Sequence, residues 1–317
     1  MQSAPPLIEF QRPFSVPRPR LALGLGVFDG VHIGHQEIIR RLAEIAAQNQ
    51  AIPCAVSFFP HPREITAASG PQMLLPLATR LEYLKNAGAA NCGLINFNAD
   101  LAAVPPDEFL QRLLNDRNFE LAAICVGKNW RFGQKGSGGA ADIASFGQKY
   151  AVEFAAVPEV SYHGRLVSSS AIRELIEIGD LTTAGAMLNR PVQLFGCVEH
   201  GLEVAAARLE TPTANLRKSA GILPPDGVYA GKVAIDGRSY AAAVNIGLAP
   251  TFAVNRRRVE IHLLDWHGDL YGRNLVLNLI KFIRPEKTFS DAAELKRQIG
   301  ADIAAVRQII FDSFTKE

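Results

Sequence analysis

The chain reads as an α/β protein in two parts. A doubly wound, largely parallel sheet with helices on both faces is followed by an antiparallel β-barrel and a C-terminal helix. Two changes of pattern carry this reading. In the first half, short and nearly unbroken apolar runs alternate with stretches of helical spacing, the signature of strands buried on both faces and of the crossover helices between them. After about residue 190 strand-like segments follow one another with turn residues between them, which suits an antiparallel barrel. A length of 317 residues is about twice that of a typical domain.

Taken in order, residues 1–20 hold five prolines and little periodicity, predicting an extended lead-in. Leu21–Val27 is an apolar strand, and Ile33–Gln48 puts Ile38, Leu42 and Ile45 on one helical face. Ile52–Phe58 has strand character, Leu77–Asn86 helical character, and Cys92–Phe97 strand character. Pro105 and Pro106 suit the start of a helix running to Asn115, because proline is tolerated in a first turn. Strands at Leu121–Val126 and Ala151–Val157 follow. Ser168-Ser169-Ser170 can cap a helix over Ala171–Ile178, which Gly179 ends; Asp180 then caps a short helix that Pro191 stops. Beyond the boundary at Arg190–Pro191 come strands at Val192–Glu199, Gly227–Ile235, Tyr240–Ile246, Val259–Leu264 and Leu275–Phe282, with Asp236-Gly237 as a hairpin turn. Leu295, Ile299, Ile303, Val306 and Ile310 form one stripe on a closing helix. The domains are therefore expected at 1–190 and 191–317.

Lys and Arg total 33 against 31 Asp and Glu. That balance gives no basic face for nucleic acid or an anionic membrane. No apolar run approaches the roughly 20 residues that cross a bilayer, and Met1–Phe10 lacks a basic stretch followed by an apolar one, so no secretory signal is expected. Cys54, Cys92, Cys125 and Cys197 lie far apart, without CxxC spacing. The expectation is a reduced, cytoplasmic, soluble protein; nothing in the composition speaks to oligomeric state.

The densest chemistry is Gly26-Val27-Phe28-Asp29-Gly30-Val31-His32-Ile33-Gly34-His35, between the first strand and the first helix. In a doubly wound sheet this is where ligands bind, because a helix start offers free N–H groups and a positive dipole end. Gly30 and Gly34 leave room for a phosphate near the backbone, and His32 and His35, three apart, can donate to one anion. The spacing is not the GxGxxG dinucleotide fingerprint. An isolated HxGH could equally be two surface histidines at a glycine turn.

The surrounding residues resemble the first motif of the bacterial bifunctional riboflavin kinase/FAD synthetase (FMN adenylyltransferase) family, and HxGH more broadly marks nucleotidylyltransferases. Further stretches match that family in order. Phe59-Pro60-His61-Pro62 resembles its PHP segment. Val126-Gly127-Lys128-Asn129-Trp130-Arg131-Phe132-Gly133 resembles VGxxFxFG, with Trp130 for phenylalanine, and Val167-Ser168-Ser169-Ser170-Ala171-Ile172-Arg173 resembles ISSTxIR. Pro212-Thr213-Ala214-Asn215, Asn245-Ile246-Gly247, Pro250-Thr251-Phe252, Glu260-Ile261-His262-Leu263-Leu264-Asp265 and Arg284-Pro285-Glu286-Lys287 resemble the kinase module. The resemblance spans nearly all the chain after about residue 20.

It implies a Rossmann-like nucleotidylyltransferase domain that joins FMN and ATP to give FAD and pyrophosphate, and a riboflavin-kinase-like barrel that makes FMN from riboflavin and ATP. His32 and His35 take the catalytic place at the ATP phosphates. Gly26, Phe28, Gly34, Ser168, Ser169 and Arg173 fall at ATP-binding positions, with the last three holding the departing pyrophosphate. His61 and Asn129 fall on the FMN side. For Ser168–Ser170 an ordinary helix cap, and for His61 a turn between two prolines, are competing readings. Glu260 matches the catalytic glutamate of the kinase, and Thr213 with Asn215 the pair that holds Mg2+. On its own, Glu260 between Val259 and Ile261 could equally be a solvent-facing strand residue.

The chain departs from the family before Pro212. There a basic, glycine-containing loop is expected, but Val204–Thr211 keeps only Arg208 and adds Glu210. A carboxylate beside ATP and the loss of phosphate-cradling glycines predict a weakened or absent kinase step with the adenylyltransferase retained. Ala171 stands where arginine is common. Competing classes are an adenylyltransferase with a non-catalytic flavin-binding barrel, or a different nucleotidylyltransferase, against which the PHP and PTAN matches argue.

Overall fold

The computed structural model describes residues 6–199, 214–248 and 257–314. Six strands form the first sheet: β1 (Glu9–Phe10), β2 (Arg20–Leu25), β3 (Ile52–Phe59), β4 (Asn91–Asn96), β5 (Glu120–Gly127) and β6 (Glu153–Val157). Their order is β1-β4-β3-β2-β5-β6. All neighbours run parallel except β1, which lies antiparallel on β4 at the edge. The helices of this part are α1 (Ile33–Gln48), α2 (Pro62–Thr66), α3 (Leu77–Asn86), α4 (Ala99–Ala102), α5 (Pro106–Leu114) and α6 (Ala140–Tyr150).

The apolar runs are strands because both faces are covered: Leu21, Leu23, Leu25, Val56, Ile124 and Val126 share one core, and the alternate residues Ala22, Ala55, Ala123 and Cys125 are buried too. Helix α1 lays Ile38, Ile39, Leu42 and Ile45 against the sheet. Truncating such a residue, as in Leu23→Ala, costs about 2–5 kcal/mol. From β2 the chain winds through β3 and β4 to one side, then returns through β5 and β6 on the other. The topological switch point therefore lies between β2 and β5, and the loops after both strands open at it.

A small hairpin, β7 (Ser161–Tyr162) and β8 (Arg165–Leu166), precedes helices α7 (Ser169–Glu177) and α8 (Leu181–Leu188). Asp180 caps α8 by accepting from the Thr183 N–H at 3.0 Å. Six antiparallel strands then close a barrel: β9 (Val192–Glu199), β10 (Ala214–Ala220), β11 (Gly227–Ile235), β12 (Arg238–Leu248), β13 (Arg257–Leu263) and β14 (Asn274–Arg284), in the order β10-β13-β12-β11-β14-β9. Asp236 and Gly237 both have positive φ and join β11 to β12, as a tight hairpin turn demands. Helix α9 (Ala292–Phe314) packs on β11, β12 and β14, with Val306 and Ile310 in a core with Ala230 and Leu264.

By its contacts the chain divides into two compact units. One holds the described residues up to Pro71 with Leu77–Ser168; the other holds Gln72–Pro76 and the described residues from Ser169 onward. Helices α7 and α8 fall with the barrel because α8 packs on β9 and β14. No helix among the described residues is long and apolar enough to cross a membrane.

Candidate active sites

The loop leaving β2 is a tight turn built around buried groups. Phe28 (φ 54°), Gly30 (φ 86°) and Val31 (φ 41°) all have positive φ, an arrangement that costs non-glycine residues about 1–3 kcal/mol each and persists only where the surroundings hold it. The Val27 carbonyl accepts from Ser57 Oγ and from Arg80 Nη1, both at 2.8 Å. Phe28 is wholly buried, and its ring meets the His35 ring edge-on at 5.3 Å. A side chain on Gly26 would start 3.0 Å from that phenyl ring.

His32 is the N-cap of α1. Its Nδ1 accepts from the His35 N–H at 3.3 Å, so its neutral ring carries the proton on Nε2 as a donor. The two imidazoles stack with centroids 3.6 Å apart. Gly34 has a packing reason besides phosphate access: a Cβ there would sit 3.2 Å from Cε1 and Nδ1 of His32. His32 is buried at 6% exposure, so the pair is a fixed element at a helix start and not a surface decoration.

Across the switch point, Asn129 stands exposed in the loop after β5, its Nδ2 donating to Glu159 Oε1. His61 caps α2, its Nδ1 accepting from the Arg63 N–H at 3.0 Å while Glu64 accepts from the His61 N–H. Ser168 ends the first unit just before α7. Ser169 and Arg173 belong to the second, where Arg173 Nε donates to the Gln72 carbonyl at 2.8 Å.

In the barrel the register aligns Asn215 on β10, Glu260 on β13 and Asn245 on β12 in one row across three neighbouring strands. Neighbours directly opposite have side chains about 5 Å apart. The flanking Val259, Ile261, Val244 and Ile246 are buried, so the row faces the outside of the barrel. There a cavity of about 300 Å³ is lined by Asn245, Glu260, His262, Arg284, Glu286 and residues of α9. Glu260 is thus a cavity residue and not a solvent-facing one. Burial raises its pKa above the usual carboxylate value; Arg258 opposes this and the Glu286 charge adds to it. Glu286 reaches the row only because residue 247 is glycine: a Cβ there would fall 1.9 Å from Glu286 Oε1.

Asn215 Oδ1 is buried without a hydrogen-bond partner among the described residues. A neutral amide oxygen left open in this way suits a hard cation. Its sequence partner Thr213 lies outside the described residues, as do the altered loop Val204–Thr211 and Pro250-Thr251-Phe252. Among the described residues no group of three or more His, Cys, Asp and Glu side chains could hold a metal.

Several contributors carry no motif: Ser57 and Arg80 hold the first loop, and Asp302, beside the motif residue Glu286, shapes the cavity. Asp302 on α9 is 6% exposed and takes Arg284 in a two-pronged ion pair, Nη2 to Oδ2 at 2.7 Å and Nε to Oδ1 at 2.9 Å. The one available signal was a charged residue at a position whose helical neighbours are core.

Comparison with known proteins agrees with this two-part layout. Residues 17–171 match the model of a family described as FAD synthetase, and residues 188–310 one described as riboflavin kinase. A bifunctional riboflavin kinase/FMN adenylyltransferase of Pseudomonas fluorescens is 35% identical, with 90% of this chain and 91% of the relative covered. The protein of the same description from Escherichia coli K12 is 31% identical, with 92% and 93% covered. A solved structure from Streptococcus pneumoniae, described as a macrolide-efflux protein, superposes with a TM-score of 0.82 at 28% identity, over 92% of this chain and 96% of that one.

Proposed function

The chain belongs to the bifunctional riboflavin kinase/FMN adenylyltransferase family, and on that premise we propose how its residues share the work. It is a transferase with two activities that together make FAD: ATP and riboflavin give FMN and ADP, then ATP and FMN give FAD and pyrophosphate.

Adenylyl transfer centres on the HxGH loop of the first unit. The FMN phosphate is already an anionic nucleophile, so no base is needed. One of its oxygens bonds to the α-phosphorus of ATP while the bond to the oxygen bridging to the β-phosphate breaks, and pyrophosphate leaves with that electron pair. The protein's task is to place donors where charge builds up. His32 Nε2–H, His35 and the N–H groups at the start of α1 supply them. Gly26 and Gly34 let the rings pack, and Phe28 contributes through its backbone, since its ring is buried. The roles of Ser168, Ser169 and Arg173 toward pyrophosphate, and of His61 and Asn129 toward FMN, rest on the match of their segments to the family. The observation that carries the reading is the stacked His32–His35 pair, with His32 Nδ1 engaged by the helix cap, at the first helix start of a doubly wound sheet.

Phosphorylation falls to the barrel. Glu260 takes the proton of the primary hydroxyl of riboflavin as that oxygen bonds to the γ-phosphorus; the bond from the γ-phosphorus to the β–γ bridging oxygen breaks and ADP leaves with that electron pair, and the raised pKa of Glu260 makes it a stronger base. Asn215 and Thr213 would hold Mg2+, which when bound offsets negative charge on ATP. Glu210 and the loop lacking glycines before Pro212 slow this step. A cytoplasmic location belongs to the same proposal and is supported by four free cysteines.

The test is to incubate the protein with ATP, magnesium and either FMN or riboflavin, and to separate the flavins by chromatography. FAD from FMN and slower FMN from riboflavin are expected. No FAD from FMN would refute the first assignment, and equal rates would refute the weakened kinase step.

A further inference from the structure

Arg80 is among the largest fully buried side chains of the protein, at 2% exposure, and lies in none of the motifs. A buried guanidinium is unfavourable unless something nearby requires it. Here every identified partner is the ligand loop or its neighbour. Nη1 donates to the Val27 carbonyl at 2.8 Å. The charges of Asp29, itself 2% exposed, and of Glu64 act on it. Its Nε has no partner among the described residues, so the group is held from the loop side.

Val27 is where β2 gives way to the turn. Ser57 Oγ and Arg80 Nη1 converge on its carbonyl, which fixes the direction of that peptide plane. The next residues enter the left-handed region at Phe28 and again at Val31, a β-branched residue. His32 follows directly, with its ring orientation set by the cap on α1. A turn with so much strain holds one shape only if it is tied from more than one side.

We propose that Arg80 is a positioning residue for adenylyl transfer: through the Val27 carbonyl it fixes the Phe28–Val31 turn, and so the placement of the His32 and His35 imidazoles against the α-phosphate. The inference rests on the assignment of adenylyl transfer to His32 and His35. It adds a residue that touches no substrate and acts through the loop. Small misplacements of reacting groups lower the rate more than they weaken binding, so the effect belongs in kcat.

The full chain carries its own control, because riboflavin phosphorylation does not use this loop. Arg80→Lys, Arg80→Met and His32→Ala are compared with the parent for FAD formation from FMN and ATP and for FMN formation from riboflavin and ATP. Both Arg80 variants are expected to lose at least tenfold in kcat for FAD, with KM for ATP and FMN within twofold and the kinase rate within twofold. A kcat for Arg80→Met within twofold of the parent overturns the proposal. Should Arg80→Met fail to fold, Arg80→Lys decides by the same thresholds. Loss of both activities in Arg80→Lys also overturns it, since Arg80 would then only hold the fold. If His32→Ala keeps its FAD-forming rate, the assignment of the site itself fails, which is a separate result.

Discussion

Asp302→Ala should loosen the first half of α9 and disturb the cavity beside Glu260 without touching FAD formation from FMN. Asp302 accepts from Arg284 through three contacts of 2.7, 2.9 and 3.2 Å, and from Gln298 at 2.9 Å. Its side chain is 8% exposed and that of Arg284 is 20% exposed. Removing one partner of a buried pair costs about 3–5 kcal/mol. The partial exposure of Arg284 lets water replace some of the loss, which puts the effect near the lower end, about 3 kcal/mol or somewhat over a hundredfold. Val306 and Ile310 still anchor the rest of α9, so the opening is local. Hydrogen exchange on the intact chain reads it directly: amides around Leu295–Ile303 should lose about a hundredfold in protection, those beyond Val306 much less. Because Leu295, Ile299 and Ile303 line the cavity, the riboflavin KM should rise while FAD formation from FMN stays constant. Protection of the first half of α9 within threefold of the parent would refute this role of the Asp302–Arg284 pair.

Gly34→Ala brings a methyl group to 3.2 Å from the His32 ring and should lower FAD formation roughly tenfold by displacing the imidazole a few tenths of an ångström; a rate within twofold of the parent would show that ring placement is unimportant. The buried Glu260 has a pKa above the ordinary 4.5, so its base form is lost at a higher pH than usual, and riboflavin phosphorylation should fall as pH drops through that raised value. Glu286→Gln removes a neighbouring negative charge and should move this acid limb to lower pH; a limb at or below 4.5, or one unmoved by the substitution, contradicts the reading. Burial pushes the thiols of Cys54 and Cys125 up to about 12 and that of Cys92 to about 11, so in the native protein a thiol reagent should modify at most Cys197 quickly; two or more fast-reacting thiols would be inconsistent.

Segments whose burial is repetitive were readable from the residues alone. Ile33–Gln48 is α1 as its 3.6-residue stripe implies, and β2, β3 and β5 coincide with the apolar runs to within a residue or two. Elements whose stability comes from elsewhere were not. Helix α6 is preceded by Gly139 at its N-cap and carries Gly147 inside it, buried against the Val152 carbonyl, so its composition argues against a helix while its packing makes one. Strand β10 reads Ala-Asn-Leu-Arg-Lys-Ser-Ala and is a strand because β9 and β13 pair with both its edges. Short β1 lies in the proline-rich lead-in and gains its place from β4. The same division holds for the sites. HxGH and Glu260 stand in recognisable local strings, whereas Arg80 acts on a carbonyl 53 residues earlier and Asp302 on a strand end 18 residues earlier. No local spacing encodes a partner that only the fold brings near.

The central claim is that one chain runs two separate chemistries, His32 and His35 for adenylyl transfer and Glu260 for phosphorylation. The most direct measurement compares His32→Ala and Glu260→Gln in both flavin assays on full-length protein. His32→Ala should abolish FAD from FMN and leave FMN from riboflavin within twofold of the parent, and Glu260→Gln should do the reverse. Retained FAD formation in His32→Ala, retained phosphorylation in Glu260→Gln, or either substitution disabling both reactions would contradict the account.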